Sequence, residues 1–144
     1  PMTRITALAI DFDGTICYED WPFIGAPVPV AKESLLELAG YGVTLYLATA
    51  REGEYLDMAL IRLYNMDLTP VFSSRIDGQY RIKSARVNCN PPDRIALYGD
   101  CRKLVLPRID DADPFTPRRP DGAVDWPRVM DGLRHYVDPA WKEM

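Results

Sequence analysis

Residues 5–15 read Ile5-Thr-Ala-Leu-Ala-Ile-Asp11-Phe-Asp13-Gly-Thr15. The apolar run from Ile5 to Ile10 has the length of one strand and no alternation with polar residues, so it predicts a strand buried on both faces. Asp-Phe-Asp-Gly-Thr then closes the strand with a turn. Two carboxylates at positions i and i+2 of an extended segment share a face, so Asp11 and Asp13 point the same way off the end of the strand.

Working outward, residues 16–30 carry Trp21-Pro22, Gly25 and Ala26-Pro27 and read as a loop. From Val30 to Ala39, Ala31, Leu35, Leu38 and Ala39 recur at helical spacing, and Gly40 and Gly42 end that helix. Val43 to Ala48 is a second apolar run, ending at Thr49-Ala50-Arg51. A helix follows from about Glu52 to Tyr64, with Tyr55, Leu56, Ala59, Leu60 and Leu63 on one face. Leu68 to Phe72 is a candidate third strand, and residues 75–87 read as a small hairpin turning at Asp77-Gly78. The element from Pro91 to Tyr98 reads equally as strand or short helix. Leu104 to Ile109 is a candidate strand containing the unwelcome Pro107. Asp125 caps a last helix with Pro127 in its first turn and Trp126, Val129, Leu133 and Tyr136 on a packed stripe.

This alternation predicts an α/β fold: a single-domain, Rossmann-like three-layer sandwich over residues 2–144, with a central parallel sheet and a small β-hairpin insertion. Ligands of such sheets bind beyond the carboxyl ends of the strands. That edge gathers Asp11, Asp13, Thr49 and, from the last third, Asp110 and Asp111.

Composition narrows the function classes. The chain has 144 residues, 47% apolar and 26% charged, as in an ordinary globular domain. There is no run of about 18 apolar residues to span a membrane and no secretion-type leader. Three cysteines (Cys17, Cys89, Cys101) without C-x-x-C spacing suggest neither a disulfide framework nor a zinc site, and a cytoplasmic location is expected. A net charge of −4 gives no general attraction for nucleic acid, although Arg118, Arg119, Arg128 and Arg134 make the last third locally basic. With His135 as the single histidine, histidine-pair or triad catalysis has little to work with.

Paired acids that repel at a strand end call for a divalent cation, and Mg²⁺ prefers carboxylates together with phosphate oxygens. A carboxylate is also able to attack phosphorus, splitting one hard step into two. A threonine hydroxyl and a lysine ammonium would complete a site for phosphoryl transfer.

On these residues the chain resembles the haloacid dehalogenase superfamily of phosphohydrolases, closest to small members without a cap. Asp11-Phe-Asp-Gly-Thr15 looks like the first motif, which implies Asp11 as nucleophile and Asp13 as acid/base. Thr49 matches the second motif, and Cys101-Arg-Lys103 leading to Ile109-Asp-Asp111 resembles the third and fourth. The resemblance implies an Mg²⁺-dependent phosphatase acting on a phosphorylated substrate. Its catalytic residues would be Asp11, Asp13, Thr49 and Lys103. Gly14, Thr15, Ala50 and Arg51 would bind substrate, and Asp11, Asp13, Asp110 and Asp111 the metal. Lys83 with Asp100 is the alternative to Lys103 with Asp110 and Asp111. Trp21 and Phe23 read either as a rim gating the site or as ordinary packing. A nucleic-acid end phosphatase or phosphotransferase, and a non-catalytic phosphate- or metal-binding module, are the competing functions. Neither the substrate nor the oligomeric state follows from the sequence.

Overall fold

The computed structural model describes residues 5–73, 81–82, 94–99, 102–112 and 116–137. Its centre is β1 (Ala7–Asp11), whose Leu8, Ala9 and Ile10 are all fully buried. Successive strand residues point to opposite faces, so three buried neighbours mean that both faces of the sheet are covered. The expected three-layer α/β arrangement is the one found.

Two antiparallel strands, β2 (Cys17–Asp20) and β3 (Phe23–Pro27), follow immediately and form a separate two-stranded sheet. Residues 16–30, expected as a loop, are therefore largely a hairpin. Trp21-Pro22 at its tip obscures the pattern, and no strand of it has a buried face long enough to show alternation.

Next come α1 (Ala31–Gly40), β4 (Thr44–Ala48) and α2 (Gly53–Asn65), each within two residues of expectation. α1 buries Ala31, Ser34, Leu35 and Leu38, and α2 buries Ala59 and Leu63. Leu68 to Phe72 is not a strand. It holds a short 3₁₀ turn at Thr69–Val71, with Pro70 lacking the amide a strand ladder needs, and Phe72 makes only an isolated parallel bridge to Leu45.

β5 (Arg81–Ile82) pairs in parallel with β4, Arg81 opposite Leu47 and Ile82 opposite Ala48. These two residues add a parallel strand to the main sheet, and the rest of the hairpin expected over 75–87 lies outside the described residues. The proposed turn at Asp77-Gly78 lies outside the described residues. β6 (Arg94–Gly99) settles the undecided element after Pro91 as a strand, and it runs antiparallel to β7 (Arg102–Ile109). The five-stranded order is β5-β4-β1-β7-β6, so the parallel sheet carries one antiparallel edge. β7 tolerates Pro107 because of where it falls. The ladder to β6 ends at Pro107, and the ladder to β1 begins at Arg108.

The chain closes with α3 (Trp126–Val137), which packs on α1. The Asp125 carboxylate accepts the Arg128 amide at 3.2 Å, the cap expected there. Trp126 and Val129 are core as expected, joined by Met130 and Val137, whereas Tyr136 is exposed. The buried face of α3 thus runs through Trp126, Val129, Met130 and Val137, one position round from the expected stripe at its C-terminal end. Among the described residues no helix is long and apolar enough to cross a membrane.

Candidate active site

β1 and β4 run side by side with Asp11 opposite Ala48, and β7 runs beside β1 with Ile109 opposite Ile10. Three strands therefore end at one edge of the sheet, and each delivers its next polar residue there: Asp11, Thr49 and Asp110-Asp111. Residues about a hundred positions apart in the chain meet at this edge. One carboxylate oxygen each from Asp11, Asp110 and Asp111 lies within 4.8 Å of the others.

Packing holds this costly arrangement. Gly14 has φ +78°, and a Cβ at that position would lie 2.0 Å from Asp111 Oδ2, so the turn needs a glycine both for its backbone and for its close approach. The Thr15 hydroxyl donates to Asp11 Oδ2 at 3.2 Å and accepts the Asp111 amide at 3.3 Å. Asp110 is nearly buried and its Oδ1 accepts the Ala112 amide at 2.8 Å. The indole of the fully buried Trp126 donates to the Thr15 carbonyl at 2.7 Å, fixing the turn to α3.

Electrostatics follows from the crowding. Burial, then repulsion from Asp110 and Asp111, pushes the Asp11 carboxyl well above the usual range. Burial and its hydrogen bond and repulsion with Asp110 lift Asp111 to about 6. A hard divalent cation is the natural counter-charge. At metal–oxygen distances near 2.0–2.1 Å, opposite ligands of an octahedral ion are about 4.2 Å apart. Three carboxylate oxygens within 4.8 Å of one another can turn onto one ion between them, so the donor set fits such an ion.

Asp13 stands apart from this trio. Its two oxygens are held by Arg51, Nε to Oδ2 and Nη2 to Oδ1, each at 2.7 Å. Arg51 is 2% exposed, and its remaining donors go to the carbonyls of Pro22, Tyr55 and Phe23 at 3.1, 3.3 and 2.8 Å. All five guanidinium hydrogens are thereby used within the chain. Two expectations change as a result. The side chain of Asp13 is not among the three clustered carboxylates, and the Arg51 guanidinium is engaged with Asp13 and the β2–β3 hairpin.

Gly14 and Thr15, expected to bind substrate, lie in the turn beside Asp11. The Gly14 amide donates to the Cys17 carbonyl at 2.7 Å and Thr15 is fully buried, so both shape the turn and position Asp11. Thr49 is buried at the end of β4, its hydroxyl oxygen accepting the Arg51 amide at 3.1 Å, while Ala50 is exposed beside it.

The lysine assignment also changes. β7 runs from Arg102 towards the site at Ile109, so Lys103 starts at the opposite end, paired with Tyr98. Seven residues of strand separate it from Asp110, roughly 23 Å at about 3.3 Å per residue. Asp100 and Lys83 lie outside the described residues. Gly99, which precedes Asp100, faces Arg102 at that same distant end, whereas Ile82, which precedes Lys83, faces Ala48 at the site edge.

A solved structure of a conserved protein from Bacteroides thetaiotaomicron is similar to this chain, with a TM-score of 0.59 over 92% of both chains and 24% identity. The likeness is one of fold. No family model matches the chain, and no curated protein matches it.

Arg118 went unassigned in the sequence, yet it donates to the Asp111 carbonyl at 3.2 Å. The Arg51–Asp13 pair had a faint signal, an arginine two residues after a strand-end threonine facing a surplus of acids. The Trp126–Thr15 bond had none.

Proposed function

We propose that this chain is an Mg²⁺-dependent phosphohydrolase of the haloacid dehalogenase kind, cleaving a phosphate monoester through an aspartyl-phosphate. The observation that carries the reading is the convergence of Asp11 with Asp110 and Asp111 at the strand ends. A buried nucleophile crowded by two acids makes chemical sense where a cation and a phosphoryl group share the site.

In this reading the Asp11 carboxylate attacks phosphorus, and the bond from phosphorus to the ester oxygen breaks. Asp13 gives its proton to the departing alkoxide. Water then attacks the phosphorus of the aspartyl-phosphate, Asp13 takes the water's proton, and Asp11 and inorganic phosphate are released. For either transfer one of the two Arg51 bonds to Asp13 opens, which leaves an oxygen free to hold the proton. The Thr49 hydroxyl receives a phosphoryl oxygen. Asp11, Asp110 and Asp111 would hold the cation, whose chemistry is neutralisation of charge between the carboxylates and the phosphoryl group. The ammonium that the transition state calls for is best sought at Lys83, the residue following β5 at the site edge.

Phosphate release from a panel of monoesters, with and without Mg²⁺, tests the reading. Asp11→Asn should abolish turnover while leaving the fold intact, because an amide keeps the shape without the nucleophile. Wild-type rates in that variant would refute the mechanism. Lys83→Met should lose far more activity than Lys103→Met. The reverse order would restore the assignment that strand direction argues against.

A further inference from the structure

Three large aromatic side chains stand in solvent near the site and take no part in the chemistry described so far. Trp21 is 55% exposed at the tip of the β2–β3 hairpin, Phe23 beside it is 64% exposed, and Tyr55 projects from the first turn of α2 at 37%. Exposed aromatics grouped on one edge of a small domain mark a contact surface more often than scattered apolar residues do. Trp21 and Tyr55 lie with ring centroids 5.0 Å apart and planes inclined by 46°.

What sets this group apart is its attachment. The Arg51 guanidinium carbon sits 4.9 Å from the centre of the Trp21 ring, while the same guanidinium grips both oxygens of Asp13. It also binds the Pro22 and Phe23 carbonyls on either side of the hairpin tip, and the Tyr55 carbonyl. One buried arginine therefore fixes the aromatic rim relative to Asp13. A hairpin tip without such a tie would hold its rings loosely.

Direction then follows from the mechanism. In an in-line displacement the leaving group departs opposite Asp11, and the acid that protonates it must touch its oxygen. Whatever lies just beyond Asp13 meets the leaving group and not the phosphoryl group. We propose that Trp21 and Tyr55, flanked by Phe23, form a stacking platform for the leaving group, so that favoured substrates are phosphate monoesters bearing a planar ring such as a nucleobase. This inference rests on the phosphohydrolase reading and goes beyond it by naming the substrate class.

Adenosine 5′-monophosphate and ribose 5-phosphate make the decisive pair, since they share the phosphate and the primary alcohol leaving group and differ in the base. Alanine substitution at a base-stacking aromatic typically weakens binding roughly 5- to 100-fold. The nucleotide should exceed the sugar phosphate in kcat/KM by a factor in that range. Trp21→Ala should collapse that ratio towards one, Phe23→Ala should reduce it in part, and Trp21→Phe should keep most of it. A second readout is independent of turnover: in Asp11→Asn with Mg²⁺, the nucleotide should quench tryptophan emission and ribose 5-phosphate should not, with the quench lost when Trp21→Phe is added. Equal kcat/KM for both esters, or a ratio unchanged in both alanine variants, overturns the platform and leaves the rim to a protein partner. The phosphohydrolase reading survives that result as long as Asp11→Asn abolishes turnover of both esters. Failure to hydrolyse either ester, or any of the monoesters in the panel, sinks the reading instead.

Discussion

Replacing Gly14 by alanine separates what the D-x-D-G-T turn does for stability from what it does for the acidic trio. The backbone there has φ +78°, which costs a residue with a Cβ about 1–2 kcal/mol. The less flexible unfolded chain returns about 0.4–1 kcal/mol of that. The added Cβ would also lie 2.0 Å from Asp111 Oδ2 and 2.5 Å from its Cγ, so the Asp111 carboxylate has to swing away. That swing is cheap for stability because Asp111 is only half-buried and moves off two like charges. The net loss should be about 1 kcal/mol, or roughly 2–4 °C in melting temperature for a chain of this size. Metal binding should suffer far more, since one of three carboxylates leaves, and a loss of about 10- to 100-fold is expected. Urea unfolding in chelator gives the first quantity and Mg²⁺ titration of the folded protein gives the second. Asp111→Asn should show the metal defect without the stability loss. Wild-type Mg²⁺ affinity in Gly14→Ala, or a stability loss above about 3 kcal/mol, would refute this account of the turn.

Two further outcomes follow from the charges. Arg51→Met strips five donors from Asp13 and from three carbonyls, and should cost about 2–4 kcal/mol in urea unfolding, less than a fully buried pair because Asp13 keeps some solvent contact. A loss below about 1 kcal/mol, the ceiling for exposed pairs, would show that the pair is ornamental. In chelator, the Asp111 carboxyl stays protonated in the folded chain up to about 6 but ionises near 3.8 when unfolded. Its contribution is intact below about pH 4 and fades as pH rises through 6. Two units at about 1.4 kcal/mol each, halved for partial exposure, make about 1.5 kcal/mol. Melting temperature should therefore fall between about pH 4 and 6 in chelator, with Asp11 acting in the same direction, and Mg²⁺ or Asp111→Asn should flatten the slope. A rising curve contradicts the like-charge crowding on which the site rests.

Much of the frame was legible along the chain. β1, α1, β4, α2 and α3 were legible because each carries enough apolar residues at one period to outweigh local ambiguity. The same apolar runs predicted a sheet covered on both faces, and their carboxyl ends nominated Asp11, Thr49 and the Asp110-Asp111 pair. The β2–β3 hairpin was not legible, because its short strands bury too little to show a period. Nor was Arg81–Ile82, a two-residue strand whose place depends on β4.

The division of tasks among these residues became visible in three dimensions. Spacing along the chain says nothing about strand direction, and direction is what sends Lys103 to the far end of β7 while bringing Asp110 and Asp111 to Asp11. Asp11 and Asp13 look equivalent as letters, yet one faces two acids and the other faces an arginine thirty-eight residues away. A residue's chemistry is set by the charges and donors within a few ångströms of it, and in a parallel sheet those neighbours come from distant parts of the chain.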